Sequence, residues 1–185
     1  MKLYLTRHGQ TEENKARILQ GQLEGTLSEL GKKQAEKIAV RLKGINFIAI
    51  YSSDLKRAIH TSKIIRKYHP HVPFNIDLRL RERHFGPFQG KPWGSFGDSE
   101  NPLGVEKQEE LFSRASNFIE KIKNSHQGEN ILVVAHGGTN KALVSAITKK
   151  DVSKIEHQPN AALSIYEIKE EITTIHLENC TTHLE

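Results

Sequence analysis

Leu3-Tyr4-Leu5-Thr6-Arg7-His8-Gly9 near the start of the chain and Ile131-Leu132-Val133-Val134-Ala135-His136-Gly137-Gly138 far downstream share one layout. In each, an apolar run of the length and composition of a buried strand leads to a histidine and then a glycine. Ligands of open α/β sheets bind outside the carboxyl ends of the strands, so the two histidines are candidates to meet in one pocket. An imidazole can act as a nucleophile and carry a covalent intermediate. The neighbouring Arg7 suggests what is carried, because a guanidinium fork matches phosphate oxygens. The leading expectation is phosphoryl transfer through a histidine.

Outward from these runs the chain alternates strand and helix patterns. Residues 2–6 form the first predicted strand, and 10–25 is a polar loop with room for one helical turn. Ser28 can cap a helix over 29–42, where Leu30, Gln34, Ile38 and Leu42 recur every four residues. Gly31 weakens that helix near its start and Gly44 can end it. A second strand spans 47–51, with Ser52-Ser53-Asp54 as the cap of a helix that stops before Pro70. Residues 72–80 suggest a third extended segment. The stretch 86–104 is broken by glycine and proline and carries Trp93 and Phe96, the makeup of a short lid-like or binding loop. Trp93 and Phe96 would either cap a pocket or pin the loop to the core. Helix returns over 105–123, with Leu111, Ala115, Phe118 and Ile122 on one face. A strand at 131–135 and a helix from Gly138 to Thr148 follow, then a hairpin candidate at 163–168 and 172–177. These elements predict one α/β domain over 1–185 with a mixed sheet.

The bulk numbers narrow the function classes. A chain of 185 residues can bury roughly 70% of its unfolded surface as one domain. No apolar stretch approaches the roughly 20 residues of a membrane helix, so no membrane partner is expected. The start leaves no room for a signal peptide, and the single cysteine, Cys180, cannot form an internal disulfide; both suit a cytoplasmic location. The net charge of +5 suits anionic substrates. The lysines are scattered along helical stretches without interleaved aromatics, which fits solvated faces better than nucleic-acid binding. His69 and His71 lack a supporting cluster, so neither a metal nor another cofactor is expected. A homodimer is left open.

Four stretches follow predicted strands in order: Arg7-His8-Gly9-Gln10-Thr11 with Asn14; Ser52-Ser53-Asp54-Leu55-Lys56-Arg57-Ala58; Leu80-Arg81-Glu82-Arg83-His84-Phe85-Gly86; and Ala135-His136-Gly137-Gly138. In this order they resemble the histidine phosphatase superfamily, which includes cofactor-dependent phosphoglycerate mutase and many phosphatases. The resemblance runs from Leu3 to the end of the helix after His136. It implies a three-layer α/β/α sandwich with a mainly parallel sheet and helices on both faces. It also implies roles: His8 as the nucleophile that becomes phosphohistidine, Arg7 and Arg57 gripping phosphate oxygens, and His136 donating a further hydrogen bond. Glu82 would be the general acid for the leaving alkoxide and then the base that activates water. Asn14, Gln20 and Gly21 match positions that line the family's pocket, and the Gly137 N–H is a further candidate anion donor.

The chain departs from the family pattern at Ala135, where a small polar residue is frequent, at Gln89, where glutamate is usual, and over 104–107. These affect substrate preference more than the central groups. The short stretch between Glu82 and His136 and the short tail leave less cover over the site than the longer insertions of mutases. A metal-independent phosphomonoesterase acting on a small phosphorylated metabolite, such as a sugar phosphate, is therefore expected. A cofactor-dependent phosphoglycerate mutase is the alternative, and a catalytically silent phospho-ligand binder is a more distant one.

Overall fold

The computed structural model describes residues 1–95 and 102–185. Among the described residues, strands β1 (Lys2–Arg7), β2 (Phe47–Ser52), β3 (Phe74–Ile76), β4 (Asn130–Ala135), β5 (Leu163–Lys169) and β6 (Ile172–Cys180) form one sheet in the order β3-β2-β4-β1-β5-β6. The first four are parallel, whereas β5 runs antiparallel to both β1 and β6. Helices are α1 (Glu12–Lys15), α2 (Glu29–Leu42), α3 (Lys56–Arg66), α4 (Gln108–Ser125) and α5 (Gly137–Thr148).

Strand side chains alternate between faces, and here both faces are apolar, as in parallel sheets covered on two sides. Leu3, Leu5, Tyr51, Ile131 and Val133 pack with Leu111, Phe118 and Ile122 of α4 and Leu143 of α5. Tyr4, Ile50, Leu132 and Val134 pack on the other face with Ile38 and Leu42 of α2 and Ala58 and Ile65 of α3. Each fully buried aliphatic side chain contributes roughly 1.5–3 kcal/mol. The result is the three-layer α/β/α sandwich anticipated from the sequence. No helix among the described residues is long and apolar enough to cross a membrane.

Helix α2 spans the predicted residues, with Ser28 Oγ accepting the Gly31 N–H at 3.0 Å. Gly31, unfavourable for a helix by about 1 kcal/mol, is explained by packing. A Cβ there would lie 1.9 Å from Gln10 O, and one at Gly9 would lie 2.3 Å from Gly31 O. The missing side chains let the helix rest directly on the backbone that carries His8.

Other boundaries move for tertiary reasons. Helix α3 starts at Lys56, and its N-cap, Leu55, makes no side-chain bond. Asp54 is engaged by Arg81 at 2.5 Å, and the Lys56 N–H is taken by the Glu24 carboxylate at 2.9 Å. The third extended segment is only three residues long. Asp77 turns it into a 3-10 turn over Leu78–Leu80 by accepting the Arg79 N–H at 3.1 Å. Helix α4 begins at Gln108 because Glu110 Oε2 accepts the Lys107 N–H at 2.8 Å. Within 86–95, the chain pairs with the loop after α1: Leu19 N–H donates to Lys91 O and Gly90 N–H to Leu19 O, both at 2.8 Å.

Candidate active site

Strands β1, β2 and β4 lie side by side and parallel, so the turns after them share one edge of the sheet. His8 is buried just past β1, and His136 is fully buried as the N-cap of α5. Their ring centroids are 5.2 Å apart, so the two strand-end histidines do meet. Arg57, in the first turn of α3, joins them: its Nε lies 3.2 Å from both His8 Nε2 and His136 Nδ1. A guanidinium can only donate, so both ring nitrogens present lone pairs. His8 Nδ1 therefore carries the proton and donates it to Gly9 O at 2.7 Å, and His136 carries its proton on Nε2. Burial, then the charges of Arg57 and Arg7, hold His8 well below the ordinary value of 6.5. Burial, Arg57 and His8 do the same for His136. Both rings are neutral at neutral pH.

The rest of the Arg57 fork serves the loop that precedes α2. Nη1 donates to Leu23 O at 2.5 Å and Glu24 O at 3.2 Å, and Nη2 donates to Gly21 O at 2.6 Å. Burial lowers Arg57 to about 10, which leaves it charged at neutral pH. Arg57 thus orders a loop and two imidazoles, a wider task than the phosphate grip expected of it. Arg7 Nη1 donates to Gln158 O at 3.1 Å and faces His157 Nδ1 at 3.4 Å. Arg7 Nε and His136 Nε2 are buried without a hydrogen-bond partner among the described residues. Buried donors are normally paired, and the oxygens of an anion beside the His8 lone pair would complete these two.

Glu82 reaches the same place by an unexpected route. It follows the 3-10 turn rather than a strand end, and Arg114 of α4 holds its approach. Arg114 Nη1 donates to Arg79 O at 2.7 Å and Arg81 O at 2.6 Å, and Nη2 to Glu82 O at 3.1 Å. Arg114 is itself clamped by Glu106 at 2.6 Å. The Glu82 carboxylate accepts the N–H groups of Gly138 and Thr139 at 3.1 Å each and of Arg83 at 2.8 Å. The first turn of α5 therefore seats the Glu82 carboxyl group on backbone N–H donors that a helix N-terminus leaves free. Its donors within that turn are the N–H groups of the two residues after Gly137.

These groups border a cavity of about 630 Å³. Asn14, Gln20 and Gly21 line it, and Asn14 Oδ1 accepts from Asn160 Nδ2 at 3.3 Å. Ile18, Leu19, Phe85 and Trp93 supply an apolar part of its wall. Trp93 is half-exposed and donates Nε1–H to Ile18 O at 3.1 Å, so it both lines the cavity and pins the loop. Phe96, paired with it in the sequence reading, lies outside the described residues, as do 97–101 of the lid-like segment. His69 is buried against the Phe47 ring at 5.1 Å. Among the described residues no group of three or more His, Cys, Asp or Glu side chains gathers to hold a metal ion.

Two polar lining residues, His157 and Asn160, and the apolar Ile18 and Leu19 were missed by the sequence reading. Because β5 is antiparallel to β1, the loop entering β5 lies at the edge where β1 ends. The hairpin pattern of β5 and β6 could have revealed this, had its pairing to β1 been worked out. Arg114 and Glu106 sit on a helix face and in a loop with no local pattern to mark them.

The chain is similar to a metal-independent phosphoserine phosphatase of Arabidopsis thaliana, with 36% identity over 200 residues covering 98% of this chain and 82% of that protein. Its fold matches YhfR of Bacillus stearothermophilus with a TM-score of 0.91 at 28% identity, covering 100% of this chain and 99% of that one. A mycobacterial glucosyl-3-phosphoglycerate phosphatase solved with VO3 matches at a TM-score of 0.88 and 28% identity, covering 97% and 99% of the two chains. The model of the histidine phosphatase superfamily (branch 1) matches residues 3–181, and the chain belongs to that family.

Proposed function

We propose that the protein is a metal-independent phosphomonoesterase that hydrolyses a small phosphorylated metabolite through a phosphohistidine at His8. The observation that carries this reading is the state of the His8 ring. Its proton is committed to Gly9 O, and its Nε2 lone pair is held in place at a site with two buried donors that have no partner among the described residues. Phosphoryl transfer asks a protein mainly for positioning and for charge stabilisation. Here Nε2 attacks phosphorus and forms the N–P bond, the ester P–O bond breaks, and protonated Glu82 gives its proton to the departing oxygen. The Glu82 carboxylate then takes a proton from water as that water attacks phosphorus, the N–P bond breaks, and inorganic phosphate leaves. Arg7 Nε and His136 Nε2–H supply donors to the oxygens as charge moves through them. The resemblance to proteins named phosphatases supports hydrolysis as the outcome.

The test uses p-nitrophenyl phosphate in the presence of a chelator. Turnover should persist, and His8→Ala should lower it on the order of 10⁴-fold or more and abolish acid-labile, base-stable labelling of the protein. Glu82→Gln should lower kcat by about 10²–10⁴-fold while orthovanadate still binds. Unimpaired turnover by His8→Ala would overturn the assignment.

A further inference from the structure

The loop between α5 and β5 wraps the pair Arg7–His8. Ala161 N–H donates to Arg7 O at 3.0 Å and also lies 3.3 Å from His8 O, while Asn160 Nδ2 donates to His8 O at 3.0 Å. On the side-chain level, Arg7 Nη1 is met by Gln158 O and His157 Nδ1. We propose that His157 is a positioning residue whose imidazole accepts from Arg7 Nη1 and so aims the Arg7 guanidinium into the phosphoryl pocket. This rests on the reading of Arg7 as a phosphate ligand.

The chemistry of the contact favours that role over simple filling of space. Arginine offers donors only, so the atom facing Nη1 at 3.4 Å has to be a lone pair. Nδ1 supplies it when the ring is neutral with its proton on Nε2. Burial, followed by the charge of Arg7, lowers His157 below the ordinary value and favours this form. Lys141 of α5 acts in the same direction, whereas Glu82, across the cavity, and a backbone hydrogen bond with Gln158 oppose it. The ring also has a dedicated seat. A Cβ on Gly137, the first residue of α5, would lie 2.4 Å from His157 Nε2, so the glycine after His136 leaves the space the imidazole occupies. Held between Arg7 and Gly137, the ring links the turn after β1 to the start of the helix that carries the Glu82 donors. With Nη1 engaged by His157 and Gln158, the Arg7 Nε is left as a buried donor without a partner among the described residues.

Replacement with asparagine keeps an acceptor near the place of Nδ1, whereas leucine fills the volume without one. The experiment measures binding of inorganic phosphate to the full chain by calorimetry, with melting midpoints as a check on folding. His157→Leu should weaken phosphate binding about tenfold, and His157→Asn should stay within about threefold of the unsubstituted protein. With p-nitrophenyl phosphate, His157→Leu should raise KM more than it lowers kcat. If His157→Leu does not fold, His157→Ala takes its place. The proposal is overturned if the leucine variant binds phosphate as tightly as the unsubstituted protein, or if asparagine restores nothing. Arg7→Ala separates the two levels. Undiminished phosphate binding by that variant removes Arg7 as a ligand, and with it both readings. Normal loss on Arg7→Ala, with no effect at His157, overturns this inference alone.

Discussion

Arg57 shows how much one buried side chain can determine. Its Nε reads the lone pairs of two imidazoles while its two terminal nitrogens hold three carbonyls of the 21–24 turn. A lysine in its place keeps the charge but has no planar fork and cannot reach all these acceptors. Arg57→Lys is therefore expected to lower kcat/KM by about 10²-fold or more, since small displacements at a reacting centre cost that much. Steady-state kinetics with p-nitrophenyl phosphate check this, and a change of less than threefold would count against the assigned role. Ala135 illustrates the opposite case. It departs from the small polar residue frequent at that place in the family, yet its carbonyl accepts the His8 N–H at 3.1 Å. The backbone supplies a contact that the side chain does not.

At the scale of elements, the start of α5 and the segment carrying Glu82 depend on each other. A Cβ on Gly138 would lie 2.6 Å from Glu82 Oε1. Glycine to alanine within a helix ordinarily stabilises by about 0.5–1 kcal/mol, but here the carboxylate must move aside. Gly138→Ala is expected to lower kcat by about 10²-fold with a melting midpoint unchanged or slightly raised. Opposite movement of activity and stability separates this effect from misfolding, and full activity would show that Glu82 tolerates the shift. The elements themselves were legible where a local pattern sufficed. The four-residue repeat of 29–42 located α2, and the apolar runs located β1, β2 and β4. The histidines, Arg7 and Arg57 were legible because they stand at the ends of those runs in order, and Glu82 through the likeness of 80–86 to the family, although it follows a 3-10 turn. What stayed hidden depends on tertiary partners: Glu24 at the start of α3, Arg114 behind Glu82, and His157 brought in by an antiparallel strand. No window of neighbouring residues encodes those meetings.

For the whole molecule, two fully buried neutral histidines make stability depend on pH. His8 and His136 have folded-state values well below 6.5, near which they titrate in the unfolded chain. Between those values the unfolded chain binds more protons, so stability is full above about pH 6.5 and falls as pH decreases, until the folded-state values are reached. Each ring can remove up to about 1.4 kcal/mol per pH unit within that window. Asp77 responds in a separate range. Burial pushes it up, but hydrogen bonds from Arg79 and Lys121 outweigh this and bring it to about 2. Its contribution is intact above its ordinary value of 3.8 and is lost only on further acidification. The melting midpoint is expected to drop between pH 7 and pH 5, and a flat profile there would show that the rings are not buried neutral.

The tie between Arg57 and the 21–24 turn has a consequence for the reaction cycle. In the proposed cycle, once phosphorus is attached to His8 Nε2, that nitrogen has no lone pair left for the Arg57 Nε–H, and the guanidinium is free to resettle against its remaining acceptors. The turn should then differ in local order between the resting and the covalently loaded protein. Amide hydrogen exchange at residues 21–24 would register whether the ring just past β1 is covalently loaded, which in the proposed cycle makes this turn a gauge of its progress.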